Sequence, residues 1–230
     1  MPRALGLTRV AIVEDHLLFA ESLEVALSLE GHDVHRVPLD EGMSSSALLT
    51  ALLRAQARIV LLDLDLGEAG SGVRLVQPLV RSGAAVVVVT GDSDRARWGE
   101  CLVYGARTVL DKASSLNTIL ATIRRVGEGR ALMTREERDA LVHHFHNEKR
   151  SDHETRLRLE ALTPREQEVL GHLMLGHAVR DIARTFVVSE ATVRTQVKSI
   201  LSKLEVSSQL AAVGAANAVR WRPPQQQTWA

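Results

Sequence analysis

Five short runs of β-branched and aliphatic residues, Val10–Val13, Val34–Val37, Ile59–Leu62, Ala85–Val89 and Thr108–Leu110, recur at intervals too long for hairpins and long enough for a helix. The stretches between them, Leu17–Leu29, Ser45–Ala57, Val73–Arg81 and Arg95–Tyr104, have helical period, and Leu116–Val126 closes the series. Strands that are apolar throughout have no face to give to water. The alternation therefore predicts an α/β fold, a doubly wound five-stranded parallel sheet with helices on both faces. In such sheets the chemistry gathers outside the carboxyl ends of the strands.

Those ends are unusually polar. The first strand runs out into Glu14-Asp15, the third into Asp63-Leu64-Asp65, the fourth into Thr90-Gly91 and the fifth into Asp111-Lys112. Carboxylates crowded on one rim repel, and a hard divalent cation relieves the repulsion; Mg²⁺, with its preference for oxygen ligands and retained waters, suits an incomplete carboxylate cage. An Asp held there beside a Lys and a hydroxyl is equipped for phosphoryl transfer, with the carboxylate attacking while Lys, hydroxyl and cation meet the charge on the equatorial oxygens. One Asp after a strand is usually a helix cap. It is the joint placement at four strand ends that carries the functional reading.

The last third of the chain is different in kind. Thr163-Pro164-Arg165-Glu166 reads as a capping box with Pro at the first helical position, and Val169, Leu170, Leu173 and Met174 give that helix an apolar face before Gly176 stops it. A short helix follows over residues 179–186, and Ser189 is placed to cap a third that runs to about Leu204. Val193, Val197, Ile200, Leu201 and Leu204 share one side of it. The other side carries Ala191, Arg194, Thr195, Lys198, Ser199 and Ser202, short or basic groups that suit a major groove. Together these elements form an all-α helix-turn-helix. A final helix over 208–220 has a small-residue face of Ala211, Gly214, Ala215 and Ala218, open to close packing within its own domain or against a second copy.

Charge agrees with this division. The whole chain balances 28 basic against 28 acidic residues, but residues 1–127 hold 13 basic and 15 acidic, and residues 158–230 hold 9 and 6. The basic surplus thus lies with the helix-turn-helix. Only seven of 230 residues are aromatic, which argues against stacking on single strands. The one cysteine, Cys101, excludes an internal disulfide or a multi-Cys zinc site and reads as a small buried hydrophobe. No apolar run approaches the ~20 residues of a membrane span, so the expected setting is the cytoplasm with no membrane partner.

In order along the chain, Val13-Glu14-Asp15-His16, Leu61-Leu62-Asp63-Leu64, Val88-Val89-Thr90-Gly91 and Leu110-Asp111-Lys112 resemble the receiver domain of two-component response regulators. Leu162-Thr163-Pro164-Arg165-Glu166, Ile182-Ala183, Val188-Ser189, Thr192-Val193-Arg194-Thr195, Val197-Lys198 and Lys203-Leu204 resemble the LuxR-type DNA-binding domain. The pairing is similar to the NarL/FixJ group. The resemblance implies that Asp63 accepts a phosphoryl group from a partner histidine kinase. Glu14, Asp15, Asp63 and the Asp65 backbone carbonyl would surround Mg²⁺, and Thr90 and Lys112 would contact the phosphate. It further implies that Arg194, Thr195 and Lys198 contact double-stranded DNA and that the last helix pairs two copies as a homodimer on it.

Three departures from the pattern stand out. Leu66–Gly72 is a looser glycine-rich loop where such receivers commonly have Met-Pro after the acceptor. Val109 stands where an aromatic switch residue is common, and Gln196 stands where LuxR-type domains usually have His. An alternative reading is therefore a DNA-binding regulator whose receiver has become a phosphorylation-independent interaction or ligand-sensing module. A second, that Asp63-x-Asp65 is the nucleophile motif of a haloacid-dehalogenase-type phosphatase, lacks an acidic strand end after Lys112. A non-enzymatic regulator is expected.

The boundaries that follow are a receiver over 1–127, a linker over 128–158 that is helical around Glu136–Phe145, a helix-turn-helix domain over 159–222, and a disordered tail over 223–230. Histidines 143, 144, 146 and 153 belong to the linker, where solvated side chains are a simpler reading than a metal site.

Overall fold

The computed structural model describes residues 8–40 and 42–223. These fall into two compact units, the first ending at His146 and the second beginning at Asn147. The first is a five-stranded parallel sheet of β1 (Arg9–Val13), β2 (Asp33–Arg36), β3 (Ile59–Leu62), β4 (Ala85–Thr90) and β5 (Thr108–Asp111), in the order β2-β1-β3-β4-β5. Its helices are α1 (Leu17–Leu29), α2 (Ser45–Ala55), α3 (Val73–Arg81), α4 (Arg95–Val103) and α5 (Leu116–Gly127).

Both faces of the sheet are covered, as the apolar strands require. Val10, Ile12, Ile59, Leu61, Val87 and Val89 pack with Leu23 and Leu27 of α1 and Ile119 and Ile123 of α5. The alternate residues Ala11, Val13, Val60, Leu62, Val86 and Val88 meet Leu48, Leu52, Val76, Leu79 and Leu102 of α2, α3 and α4. Each buried Val, Leu or Ile here contributes about 1.5–3 kcal/mol by leaving water, and the period of two assigns neighbours to opposite layers. Cys101 lies fully buried on α4, and burial pushes its thiol up to about 12. It is inert packing.

The stretch expected as a linker, residues 128–158, is more ordered than its charge-rich sequence suggests. In place of a short helix around Glu136–Phe145, a single helix α6 spans Arg135–Glu160. Thr134 and Glu137 close a capping box at its start: Glu137 N–H donates to Thr134 Oγ1 (3.1 Å) and Thr134 N–H to Glu137 Oε2 (2.8 Å). No Gly or Pro interrupts residues 135–160, and both ends are anchored. Leu141 is buried in the first unit, with Val142 packed beside it, and Leu159 is buried in the second. Tertiary anchoring at each end thus carries a middle that has no apolar stripe of its own.

The second unit holds α7 (Pro164–Met174), α8 (Val179–Thr185), α9 (Glu190–Leu204) and α10 (Gln209–Ala218). Val169, Leu170, Ile182, Val193, Val197, Ile200, Leu204, Ala212 and Ala216 form its core. The expected caps are in place. Thr163 and Glu166 complete the capping box of α7, Ser189 Oγ accepts from Thr192 N–H at α9, and Gly176 takes the left-handed conformation (φ 81°) just past α7. Residues 224–230, most of the expected tail, lie outside the described residues.

Candidate functional site

The carboxyl ends of β1, β3, β4 and β5 converge. Asp63, only 2 % exposed, directly follows β3, with Oδ1 accepting from Leu64 N–H (2.6 Å) and Oδ2 from Lys112 Nζ (2.7 Å). The same ammonium donates to Glu14 Oε1 (2.7 Å), which also accepts from His16 N–H (2.9 Å). Lys112 is in turn positioned by its backbone, whose N–H donates to the Thr90 carbonyl (2.9 Å). Thr90 is 1 % exposed, and its Oγ1 accepts from Asp92 N–H (3.1 Å). Asp15 is more open and pairs with His16 Nδ1 at 2.7 Å. Asp65 is exposed, and its side chain accepts from Gly67 N–H (3.4 Å).

The electrostatics follow from three carboxylates around one ammonium. Burial raises Glu14 above the usual carboxylate range, against the lowering effect of Lys112. Burial also acts to raise Asp15, but its hydrogen bonds with Glu14 and His16 outweigh that and hold it low. Lys112 is held above its ordinary value because its bonds to Asp63 and Glu14 overcome desolvation. His16 is raised chiefly by Asp15 and then by Glu14. Sequence reasoning assigned His16 no role; its place directly after the acidic pair was the available signal.

Ligand atoms of Glu14, Asp15, His16 and Asp63 all lie within 4.8 Å of one another. Hard oxygen donors with surplus negative charge fit a divalent cation such as Mg²⁺. An open cavity of about 610 Å³ adjoins them, lined in part by Glu14, Asp15, Leu66, Glu68 and Ala69, so the cluster is reachable from solvent.

The loop after Asp63 corrects the expectation of looseness. Leu66 and Ala69 are buried, Gly67–Ala69 forms one 3₁₀ turn, Leu66 N–H donates to the Gly70 carbonyl (3.2 Å), and Asp65 pairs with Ser71 in an antiparallel bridge. Gly72 packs directly on the Asp63 backbone: a Cβ there would fall 2.0 Å from the Asp63 carbonyl oxygen. The glycines serve turns and close approach.

On the second unit, α9 buries Val193, Val197, Ile200 and Leu204 and exposes Ala191, Arg194, Thr195, Lys198 and Ser202. Arg194 Nη2 lies 3.2 Å from Glu190 Oε2 in a solvent-exposed pair, worth little on its own. Thr195 Oγ1 donates to the Ala191 carbonyl (3.0 Å). Ser199 does not belong to this face. Its hydroxyl donates to Glu166 Oε1 (2.6 Å), and Lys203 Nζ donates to Glu166 Oε2 (2.6 Å). Glu166, 4 % exposed, thus ties the first turn of α7 to α9. That bond crosses 33 residues, beyond any helical-wheel argument. On α10, Ala212 and Ala216 pack into the domain core, while Gly214 and Ala218 stay exposed and Ala211 and Ala215 half-buried.

Comparison with known proteins fits both units. The model for the response regulator receiver domain matches residues 10–124, and that for bacterial regulatory proteins of the luxR family matches residues 160–216. The probable transcriptional regulatory protein NarL of Mycobacterium tuberculosis is 29 % identical over 219 residues, covering 93 % of this chain and 94 % of its own. The nitrate/nitrite response regulator protein NarP of Escherichia coli is 28 % identical over 206 residues, covering 89 % and 92 %. RcsB from Salmonella enterica serovar Typhimurium, solved on promoter P1flhDC with the phosphomimetic BeF3⁻, shares the fold at a TM-score of 0.50 and 22 % identity, covering 92 % of this chain and 98 % of that one.

Proposed function

Because the chain belongs to the NarL/FixJ-type response regulators, which join a receiver domain to a LuxR-type DNA-binding domain, we propose that phosphorylation of Asp63 by a partner histidine kinase controls its binding to double-stranded DNA. The observation that carries this reading is the setting of Asp63: buried, fixed through both carboxylate oxygens, and shared with Glu14 through Lys112.

An Asp63 oxygen attacks the phosphorus of a phosphohistidine. The new O–P bond forms as the P–N bond breaks, and the imidazole leaves with the bonding pair and takes up a proton. Lys112 places its ammonium against the phosphoryl oxygens, and the Thr90 hydroxyl donates to one of them. Glu14, Asp15, Asp63 and the Asp65 carbonyl would hold Mg²⁺, which supplies further positive charge there when bound. In the second unit Arg194 forks to base edges, Lys198 reaches phosphate or base, and Thr195 adds a hydroxyl contact. The exposed small residues of α10 pair two copies on DNA. Among the described residues no helix is long and apolar enough to cross a membrane, which supports work in the cytoplasm.

The test is incubation with a small phosphodonor and Mg²⁺ followed by intact mass. The wild type should gain about 80 Da, one phosphoryl group, and Asp63→Asn should gain nothing. Equal labelling of the variant would move the acceptor elsewhere.

A further inference from the structure

Thr90 stands at the start of a rigid assembly. The Asp92 N–H that meets its hydroxyl belongs to a residue tied on three further sides: Oδ1 accepts from Asp94 N–H (2.8 Å), Oδ2 pairs with Arg97, and the carbonyl accepts from Trp98 Nε1 (2.7 Å). Arg97 and Trp98 lie in the first turns of α4, and Asp94 is its N-cap, accepting from Ala96 and Arg97 N–H. Arg97 Nη2 also reaches Ser71 Oγ (3.3 Å) on the acceptor loop. A displacement of Thr90 is therefore a displacement of the α4 N-terminus. Val109, apolar and buried, offers this loop no hydrogen bond.

The next residue along α4 meets α6. Gly99 packs so closely that a Cβ would lie 2.1 Å from the Leu141 carbonyl oxygen and 3.0 Å from Phe145 Cβ. Arg138 of α6 donates to the Leu102 carbonyl at 2.7 Å. All of these residues belong to the first unit. Backbone-to-backbone packing of this kind has no side chain to absorb motion, so α4 does not shift without α6 shifting. Helix α6 is also the segment by which the chain leaves the first unit.

We propose that Asp92, Trp98 and Gly99 are positioning residues that convert the capture of Thr90 by a phosphoryl group on Asp63 into a movement of α4 against α6. This rests on Asp63 being the acceptor. Trp98 supplies the donor that fastens the loop to α4, and Gly99 supplies the close contact that passes the motion to residues 135–146. The indole and the glycine thus do together what an aromatic side chain at position 109 does not do here.

The experiment is amide hydrogen exchange on the full chain, with and without a small phosphodonor and Mg²⁺, and intact mass on the same samples. In the wild type, phosphorylation should change the exchange of peptides within 135–146 by about fivefold or more, the lower end of common coupling strengths. Trp98→Phe keeps the ring and loses the donor. Gly99→Ala keeps the helix and forces α6 away. Both should still gain the phosphoryl mass; the phosphorylation-dependent change in 135–146 should shrink in Trp98→Phe, where Asp94 and Arg97 still hold Asp92, and disappear in Gly99→Ala. The readout is a difference between two states of one variant, which a merely destabilising substitution does not abolish. Labelled variants that keep the wild-type response overturn this inference alone, as does a labelled wild type with no response in 135–146. A wild type that is not labelled overturns the acceptor reading and this inference with it.

Discussion

Lys112 Nζ lies 2.7 Å from Asp63 Oδ2 and 2.7 Å from Glu14 Oε1, so one ammonium serves two buried carboxylates from different strands. It neutralises half of their charge and leaves the remainder, with Asp15, for a cation.

Removing that ammonium should expose the imbalance. Lys112→Met leaves Glu14 and Asp63 facing each other in a poorly solvated site, a loss on the order of 3 kcal/mol where one partner of a buried pair is deleted. Millimolar Mg²⁺ should return more stability to the variant than to the wild type, because it replaces the missing charge. Thermal melts in EDTA and in Mg²⁺ measure both. A variant that melts like the wild type in EDTA, or responds no better to Mg²⁺, would contradict the charge balance described.

Glu166 gives a pH-dependent counterpart in the second unit. Burial acts to raise its pKa, but Lys203, Ser199 and the Thr163 N–H hold it down to about 2 from 4.5. Its folded-state value is thus below its unfolded one, so its contribution is fully present above about 4.5 and fades as pH falls toward 2. Glu166→Gln should cost about 1–3 kcal/mol near neutrality, through weakened bonds to Lys203, Ser199 and the cap. The gap between variant and wild type should narrow toward pH 3 in urea titrations of the full chain. A gap that stays constant with pH would show that the charge is not what matters.

The strand ends were legible because of their joint placement: any one of these carboxylates could cap a helix, but carboxylates, a hydroxyl and a lysine together directly after four apolar strands have no shared packing role. The strands themselves follow from uninterrupted apolar runs such as Val10–Val13 and Val86–Val89, and the observed limits differ from the expected ones by no more than one residue at any end. What escaped is contact geometry that no periodicity encodes. Nothing near Ser199 in the sequence indicates that its hydroxyl belongs to Glu166, and nothing near Asp92 indicates the Trp98 indole. The full length of α6 escaped for another reason. Its middle has no hydrophobic stripe, and order there comes from the anchors at Leu141 and Leu159.

Val187 is a local conflict in the turn between α8 and α9. It is β-branched, 90 % exposed, and sits at φ 53°, in the left-handed region. Such a residue costs about 1–3 kcal/mol there. Asn tolerates this conformation, and unlike Gly it does not loosen the unfolded chain. Val187→Asn should therefore stabilise the second unit by about 1 kcal/mol, read as a higher urea midpoint with an unchanged slope. A lower midpoint would mean that the valine packs against something in the native state that outweighs its backbone strain.

If α9 enters the groove as proposed, its exposed face makes two kinds of contact that salt can separate. Arg194 has the planar fork that matches guanine O6 and N7, so Arg194→Ala should cost about 1–3 kcal/mol on the preferred duplex and flatten the preference between duplexes. Its pairing with Glu190 is solvent-exposed and gives way at little cost when a base is offered. Lys198 is a point charge. If it meets phosphate, Lys198→Ala should weaken all duplexes alike and reduce the slope of log affinity against log salt by about one. Ser199→Ala is the internal control, since its hydroxyl is spent on Glu166 and its loss should lower stability while leaving sequence preference unchanged. Binding to a duplex chosen by in vitro selection with the phosphodonor-treated chain, repeated across several salt concentrations, measures all three. An Arg194→Ala, Lys198→Ala double variant that binds that duplex as tightly as the wild type would take α9 out of the groove altogether.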